Sequence, residues 1–141
     1  DMIKNKEINA NTISEDLRFS MISTKDIAEE GAKALLKLDF EGKEKKDLLG
    51  ERDLSMKEAT VILGRAIKKP ELPYVQVSSD DMLSALTGMG FPEDSSEDII
   101  ELYDRINDGK LFGDTARTKE TTTDTSFEEF ADYFARVYNQ Q

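Results

Sequence analysis

The chain has 141 residues, which is enough for one domain with a sizeable hydrophobic core. Its 30 acidic and 19 basic residues give a formal net charge of -11, and such a surface repels nucleic-acid phosphates and anionic lipids. Cysteine and histidine are absent, which excludes disulfides, thiolate catalysis, zinc–sulfur sites and Ser-His-Asp chemistry within these residues.

The first third of the chain predicts one helix flanked by short strands. Weakly alternating apolar residues up to Ile22 indicate a helix end and then one or two short strands. Ser23 or Thr24 is expected to cap the following helix. Its apolar face, which we expect to pack against a sheet, consists of Ile27, Ala28, Gly31, Ala32, Leu35 and Leu36. A polar loop at residues 41–46 follows, and residues 46–50 predict a short strand with an exposed edge.

The middle of the chain carries clear helix-start signals. The sequence Ser55-Met-Lys-Glu58 is a capping box, in which the serine side chain and the glutamate side chain satisfy each other's backbone amides. Lys68, Lys69 and Pro70 are expected to end this helix, and residues 74–77 predict a strand. The inward face of the helix is expected to consist of Ala59, Ile62, Leu63, Ala66 and Ile67.

Three further helices are predicted after the strand at 74–77. Ser78 or Ser79 should cap the first, which carries Met82 and is broken by Gly88 and Gly90. Ser95 or Ser96 should begin the second, which ends at Gly109. Residues 111–124 are irregular and threonine-rich, and Thr125-Ser-Phe-Glu128 is interpreted as a capping box for the last helix. The core face of that helix is expected to consist of Phe127, Phe130, Ala131, Phe134 and Tyr138.

About five helices and three or four short strands define an α/β fold, and residues 1–141 form one unit without a visible linker. The strands are separated by helices, which favours parallel pairing. A few short parallel strands make a poor sheet alone, because parallel sheets usually have both faces covered. We therefore expect part of the fold to be missing from this chain, with an exposed sheet edge that favours dimerisation.

No pattern for binding a nucleotide or a metal occurs in the sequence. No Gly-x-Gly-x-x-Gly turn follows a strand, and no P-loop or Tyr-x-x-x-Lys pair is present. The run from Asp104 to Gly109 begins like a calcium loop, but Ile106 and Thr115 occupy two of the required ligand positions. We expect no catalytic, cofactor-binding or metal-binding residues here. No apolar run reaches the roughly 20 residues of a membrane helix, and we expect a cytoplasmic protein without a membrane partner.

Three segments of the chain together match the pattern of a known protein family. They are Ile22-Ser-Thr-Lys-Asp-Ile-Ala28, then Leu49-Gly-Glu-Arg-Asp-Leu-Ser-Met-Lys-Glu-Ala59, then Arg117-Thr-Lys-Glu-Thr-Thr-Thr-Asp-Thr-Ser-Phe-Glu-Glu-Phe130. In this order and spacing, they resemble the C-terminal half of NmrA-like proteins, an atypical branch of the short-chain dehydrogenase/reductase superfamily. The resemblance spans about residues 2 to 138. It implies the C-terminal, substrate-side lobe of a Rossmann-type NAD(P)-binding protein, whose nucleotide-binding half has no counterpart in this chain.

The resemblance also implies a function for the parent protein. Some NmrA-like proteins reduce quinones or other carbonyl compounds with NAD(P), and others sense the NADP redox state and bind protein partners. This lobe would contact a small-molecule substrate and the missing Rossmann half, and would not be active alone. Methionine suits adaptable apolar pockets, and the segment before Ser23 would lie near the substrate cleft. The candidate substrate-binding residues are Phe19, Met21, Met82, Met89 and Phe112.

Asp26 and the turn at Met89 each allow two interpretations. Asp26 is either a first-turn acid favoured by the helix dipole or a residue close to a ligand cleft. Met89-Gly-Phe-Pro92 resembles the first loop of ubiquitin-associated domains, although Gly109-Lys-Leu-Phe-Gly113 falls where their third helix is required. The alternative function is a non-enzymatic protein–protein interaction module, complete as it stands. A carboxylate-based hydrolase has less support, because no pair of acids has a distinctive spacing.

Overall fold

The computed structural model describes residue 3 and residues 7–111 and 115–140. These residues contain four short strands and five helices, which confirms the mixed α/β class. The strands are β1 (Asn9–Asn11), β2 (Arg18–Ser20), β3 (Asp53–Ser55) and β4 (Tyr74–Gln76). The helices are α1 (Thr24–Lys37), α2 (Met56–Ala66), α3 (Ser79–Gly88), α4 (Glu93–Asn107) and α5 (Phe127–Gln140). None of the described helices is both long and apolar enough to cross a membrane.

The strands form two separate two-stranded sheets. β1 pairs with β4 in parallel, with Ala10 opposite Val75, as the strand–helix alternation predicted. β2 pairs with β3 antiparallel, with Phe19 opposite Leu54, so the expectation of parallel pairing is wrong for this sheet. A lone crossover helix does not force parallel pairing here because the strands are only three residues long and the connection from Ser20 to Asp53 is long enough to reverse direction.

The strand predicted at residues 46–50 is also wrong. Only Leu49 makes a bridge, to Thr122, and the strand itself forms at Asp53–Ser55. The Leu49 amide donates to the Thr121 carbonyl at 2.7 Å, and the Thr123 amide donates to the Leu49 carbonyl at 2.9 Å. The threonine-rich segment therefore satisfies the edge that the sequence suggested was open.

The hydrophobic core lies between α2 and α5. Ile3, Ile67, Leu72 and Ala135 form a buried cluster, and Ala66, Phe134 and Tyr138 pack against it. Ala59 and Leu63 are also buried, which confirms the predicted inward face of α2. On α5 the most buried residues are Ala131 and Ala135, whereas Phe130 is 42% exposed and does not belong to the core. The small alanines let the two helices approach closely, which moves the first-turn aromatic residues to the edge of the contact.

Two of the predicted helix starts need correction. α4 begins at Glu93, after Pro92, and has no side-chain cap. Ser96, predicted as one of two possible caps, is fully buried in the first turn and donates to the Pro92 carbonyl at 2.8 Å. At the start of α5 the reciprocal box is made by Ser126 and Glu129, one residue later than predicted. Ser23, Ser55 and Ser78 cap their helices as expected.

The predicted packing of α1 is wrong in its orientation. Its polar side faces the body of the protein, through buried Asp26 and partly buried Glu30. Its apolar side faces outward, and Ile27, Leu35 and Leu36 are 47%, 69% and 85% exposed. Among the described elements, α1 packs extensively against no other helix or strand. A helix that exposes its apolar face in this way has no covering layer within the described residues.

Gly50 is the position where the backbone approaches most closely. A Cβ atom there would overlap the carbonyl oxygen of Met21, whereas a Cβ atom at Gly31, within α1, would meet nothing within 4 Å. The Gly50 amide also donates to the Ser20 hydroxyl at 2.6 Å, which holds this turn against the end of β2. The contact between residue 50 and the segment after β2 therefore depends on the absence of a side chain.

We expect Gly50→Ala to lower the free energy of unfolding by about 2 kcal/mol or more, because the backbone must shift to accommodate the methyl group. Gly31→Ala is the matched control, and it should raise the free energy by about 0.5–1 kcal/mol because alanine favours the helix. Urea unfolding followed by circular dichroism measures both values. A Gly50→Ala protein as stable as the parent would contradict the close approach.

Candidate functional site

A buried polar contact joins the first turn of α1 to the segment just before α5. The Asp26 carboxylate is 8% exposed and accepts a hydrogen bond of 2.5 Å from the Thr125 hydroxyl. The Thr125 backbone amide also donates to this carboxylate, at 3.3 Å. Ser23 caps α1 and so fixes Asp26 in the first turn, on the side that faces Thr125. This contact corrects the second predicted capping box, because the Thr125 hydroxyl is already engaged.

The electrostatics of Asp26 follow from this geometry. Burial raises its pKa, but hydrogen bonds from Thr125 and Thr123 together outweigh burial and hold the pKa below its usual value. The carboxylate is therefore ionised at neutral pH. It serves as a fixed hydrogen-bond acceptor and is unsuited to donating a proton.

An apolar pocket of about 250 Å³ opens on one side of the Asp26–Thr125 contact, where the N-termini of α1 and α5 meet. Its apolar lining consists of Met21, Ile22, Phe127 and Phe130. Its hydroxyl-bearing lining consists of Ser23, Thr24, Thr125 and Ser126. The rings of Phe127 and Phe130 are 5.5 Å apart and tilted, so they form one apolar wall. Such a pocket suits an apolar body with a few hydrogen-bonding atoms.

A second cavity of about 420 Å³ also borders this contact, and its lining is mostly charged or polar. Its lysines and acids largely neutralise each other. Glu30 lies 2.7 Å from Lys33 and 2.5 Å from Lys46, and hydrogen bonds from these two lysines lower its pKa to about 2. Lys25 lies 3.6 Å from Glu29. The lining contains four lysines and five acidic residues, so the cavity is close to neutral.

The candidate substrate-binding residues are scattered. Met21 lines the apolar pocket, but Phe19 lies in β2, opposite Leu54. Met82, within α3, is buried at 4% exposure, whereas Met89, at the C-terminal end of that helix, is 55% exposed. Phe112 lies outside the described residues. The five residues therefore do not form one described site.

Phe127 and Phe130 are the pocket residues that sequence reasoning assigned to the core. A signal was present in their position, because both lie in the first turn of α5, beside the capping residue Ser126. Their helical spacing with Phe134 and Tyr138 indicated the core instead. Periodicity identifies the apolar side of a helix, but it does not show how much of the helix length a neighbouring element covers.

The pocket contains no group suited to proton transfer. Two carboxylates that contact its lining are already engaged, Asp26 by Thr125 and Glu129 by Ser126. Tyr74, in β4, is held by burial at a pKa of about 12 and donates to the Ile13 carbonyl at 2.5 Å. Within residues 7–111 and 115–140, no group of three or more acidic residues is arranged to hold a metal ion. The described site can therefore bind and orient an apolar molecule, but it supplies no acid or base for a reaction.

Comparison of the chain with models of protein families, with curated proteins and with solved structures found no match in any of the three.

Replacing Thr125 by valine tests the contact between α1 and α5. The variant keeps the size of the side chain but leaves the buried carboxylate without its strongest hydrogen bond, and we expect a loss of about 1–3 kcal/mol at neutral pH. Because the pKa of Asp26 is lowered in the folded state, this stability is present above the unfolded pKa and is lost as the pH falls through the folded pKa. The deficit of the variant should therefore shrink in acid.

Urea unfolding at neutral pH and at about pH 3 measures this difference. Thr24→Val is the matched control, because the Thr24 side chain is exposed and has no hydrogen-bond partner among the described residues. Its unfolding free energy should stay within about 0.5 kcal/mol of the parent at both pH values. A Thr125→Val deficit that is the same at both pH values would show that the carboxylate is not the group affected.

Proposed function

We propose that the chain is the substrate-side lobe of an NAD(P)-dependent oxidoreductase or NADP redox sensor of the NmrA-like type. The missing Rossmann half would hold the cofactor and any proton-transfer groups. The three motif segments support this proposal, and so does an α/β arrangement that lacks part of its covering layers. A reducing cytoplasm, where NADP redox chemistry takes place, suits a chain without cysteine.

The observation that carries the proposal is the reversed orientation of α1. A helix in an isolated domain normally turns its apolar stripe toward the core. Here the charged side is tied down by Asp26 and Glu30, and the apolar side, with Leu35 and Leu36, is left in solvent. Contiguous exposed apolar surface marks an interaction site. A second body of the same protein, packed on α1, would give this face the layer it lacks.

The sheets support the same conclusion. β1 and β4 form a parallel pair of three residues each, and parallel strands seldom form a stable sheet without further strands and helices on both faces. Within the described residues this pair has no third strand. Strands from a Rossmann half would supply the missing neighbours.

The apolar pocket gives this lobe its part in the proposed function. Met21, Phe127 and Phe130 would line one wall of a substrate cleft, and the hydroxyls of Ser23 and Ser126 lie at its rim. Because the pocket lacks an acid or base, this lobe would contribute shape and an apolar environment. The chemistry, where the parent protein is an enzyme, would come from the cofactor and the other half.

The test is to sequence the coding DNA upstream of Asp1 and to produce the longer protein. We expect a strand, a Gly-x-x-Gly-x-x-Gly turn and a helix within a domain of about 130–150 residues. The longer protein should bind NADPH with micromolar affinity, measured by fluorescence titration, and the present chain alone should not bind it. Micromolar binding of NADPH by residues 1–141 alone would overturn the proposal, and so would an upstream sequence without the glycine turn.

Two methionine variants of the longer protein test the assignment of the pocket. Met21→Lys should weaken binding of an apolar quinone while leaving NADPH affinity unchanged, because the charge enters the apolar pocket. Met89→Lys is the matched control, since Met89 is exposed on a different part of the chain. Equal effects of the two variants would place the substrate elsewhere.

The uncovered face of α1 gives a separate prediction. In the present chain, Leu35→Lys should change the free energy of unfolding by no more than about 0.5 kcal/mol, because the side chain is 69% exposed. In the longer protein, the same change should cost about 2 kcal/mol or more, because a charge would be buried against the second body. Urea unfolding of both proteins measures the two values. A variant that is neutral in both would show that no second body covers α1.

The alternative is a non-enzymatic interaction module. The observation that favours it is the strongly acidic pair α3 and α4, which is separate from the apolar pocket. The resemblance of Met89-Gly-Phe-Pro92 to ubiquitin-associated domains does not add to it, because Lys110 and Leu111 are not helical where the third helix of those domains should begin.

A further inference from the structure

α3 and α4 pack against each other as a helical hairpin, which we define as residues 79–107. Gly90 allows the tight turn between them, because its φ of 91° lies in the region that favours glycine. Met82, Ser96 and Ile106 are buried within the hairpin region. The hairpin makes no extensive contact with the other described helices and strands, so most of its surface is exposed.

The charge of this hairpin is far more one-sided than that of the whole chain. From residue 79 to residue 107 there are eight acidic residues and a single basic one, Arg105. The chain as a whole has 30 acidic and 19 basic residues. The hairpin therefore carries most of the excess negative charge of the protein, and its field attracts cations and repels phosphate and anionic lipid.

A groove of about 260 Å³ runs between the two helices of the hairpin. Its floor is apolar and includes Leu83 and Ile100. Its rim consists of the carboxylates of Asp80, Glu97, Glu101 and Asp104. The volume is below the roughly 300–1,000 Å³ of most small-molecule pockets, and it suits individual side chains of a longer partner.

Most of the rim carboxylates have no partner in the folded chain. Glu101 pairs with Arg105 at 2.7 Å, but the side-chain carboxylates of Asp80, Glu97 and Asp104 make no hydrogen bond or ion pair with any described residue. Glu97, Glu101 and Asp104 follow one another at i, i+4 and i+7 on α4, an arrangement in which like charges repel. These carboxylates do not form a described metal site. Their spacing along the groove calls for several separated positive charges.

We propose that this groove docks a basic amphipathic segment of a partner protein. Apolar side chains of that segment would enter the groove between Leu83 and Ile100, and its lysines or arginines would pair with Asp80, Glu97 and Asp104. The recognition follows the mode in which an amphipathic helix places its apolar face into a groove, with charges at the rim setting the choice of partner. This proposal does not depend on the NAD(P)-linked function, because it uses none of the residues of the apolar pocket.

The test uses the present chain and a fluorescein-labelled peptide of about 14 residues, with leucines at helical spacing and lysines elsewhere. A peptide of the same composition, scrambled so that the leucines share no face, controls for charge alone. Fluorescence anisotropy in about 0.15 M salt, where weak long-range attraction is screened, gives the affinities. Nuclear magnetic resonance of the labelled protein identifies the amides that shift on binding.

Two pairs of variants locate the binding surface. Glu97→Gln with Asp104→Asn should weaken binding of the patterned peptide about five-fold, since each exposed ion pair contributes little alone. Glu41→Gln with Glu44→Gln removes the same charge from an exposed loop and should change the affinity less than two-fold. Ile100→Ala should also weaken binding, whereas Phe91→Ala, outside the groove lining, should not.

The proposal is supported by saturable binding of the patterned peptide, preference over the scrambled one, and shifts centred on Leu83 and Ile100. It is overturned if both peptides bind equally, or if both charge variants weaken binding to the same extent, because the effect would then be general attraction to a chain of charge -11. Absence of saturable binding also overturns it. Thermal unfolding of each variant checks that the hairpin is still folded.

Discussion

The hydrogen bond between the Asp26 carboxylate and the Thr125 hydroxyl holds the start of α1 against the start of α5. It joins residues 99 positions apart, at 2.5 Å and with the carboxylate almost fully buried. A buried ionised carboxylate is costly unless it is hydrogen-bonded, and therefore the position of Thr125 is fixed by that requirement. With Thr125 engaged, Ser126 and Glu129 form the cap of the last helix in its place. The apolar pocket and the polar cavity both border this contact.

The same bond explains why α1 presents its apolar side to solvent. The bond from Asp26 to Thr125 and the pair between Glu30 and Lys46 tie the charged side of the helix to residues outside it. A helix has only one side that can face a given neighbour, so the stripe containing Leu35 must face the other way. The exposed stripe is thus a consequence of specific polar contacts and not of weak packing.

The sequence predicted what depends on local interactions. Helix starts at Ser23, Ser55 and Ser78 depend on side chains three residues or fewer from the amides they bind, and the pattern contains that information. The inward face of α2 was also predicted, because its apolar residues form one continuous stripe that packs against a single helix, α5. The orientation of α1 could not be predicted, because an apolar stripe indicates which side should be buried but not whether a neighbour is present. Nor could the pairing of Leu49 with Thr122, which joins residues far apart in the chain.

The residues that line the pocket could not be predicted from residue type alone, because the fold decides which side chains lie next to each other. Met21, Met82 and Met89 are chemically equivalent in the sequence, yet one lines a pocket, one is buried in a helix and one is exposed. Their roles are set by what lies opposite them. The apolar pocket exists because the capped starts of α1 and α5 converge on Met21, and this convergence depends on the Asp26–Thr125 contact.

The apolar face of α1 and the acidic hairpin impose opposite physical demands on the chain. The apolar face favours association with any complementary apolar surface, including another copy of the chain. The net charge of -11, concentrated around the hairpin, opposes the approach of a second copy. Added salt screens the repulsion and strengthens apolar contacts, but it weakens pairing between the rim carboxylates and a basic partner. Because the two surfaces respond in opposite directions to salt and use different elements, occupancy of one does not require occupancy of the other.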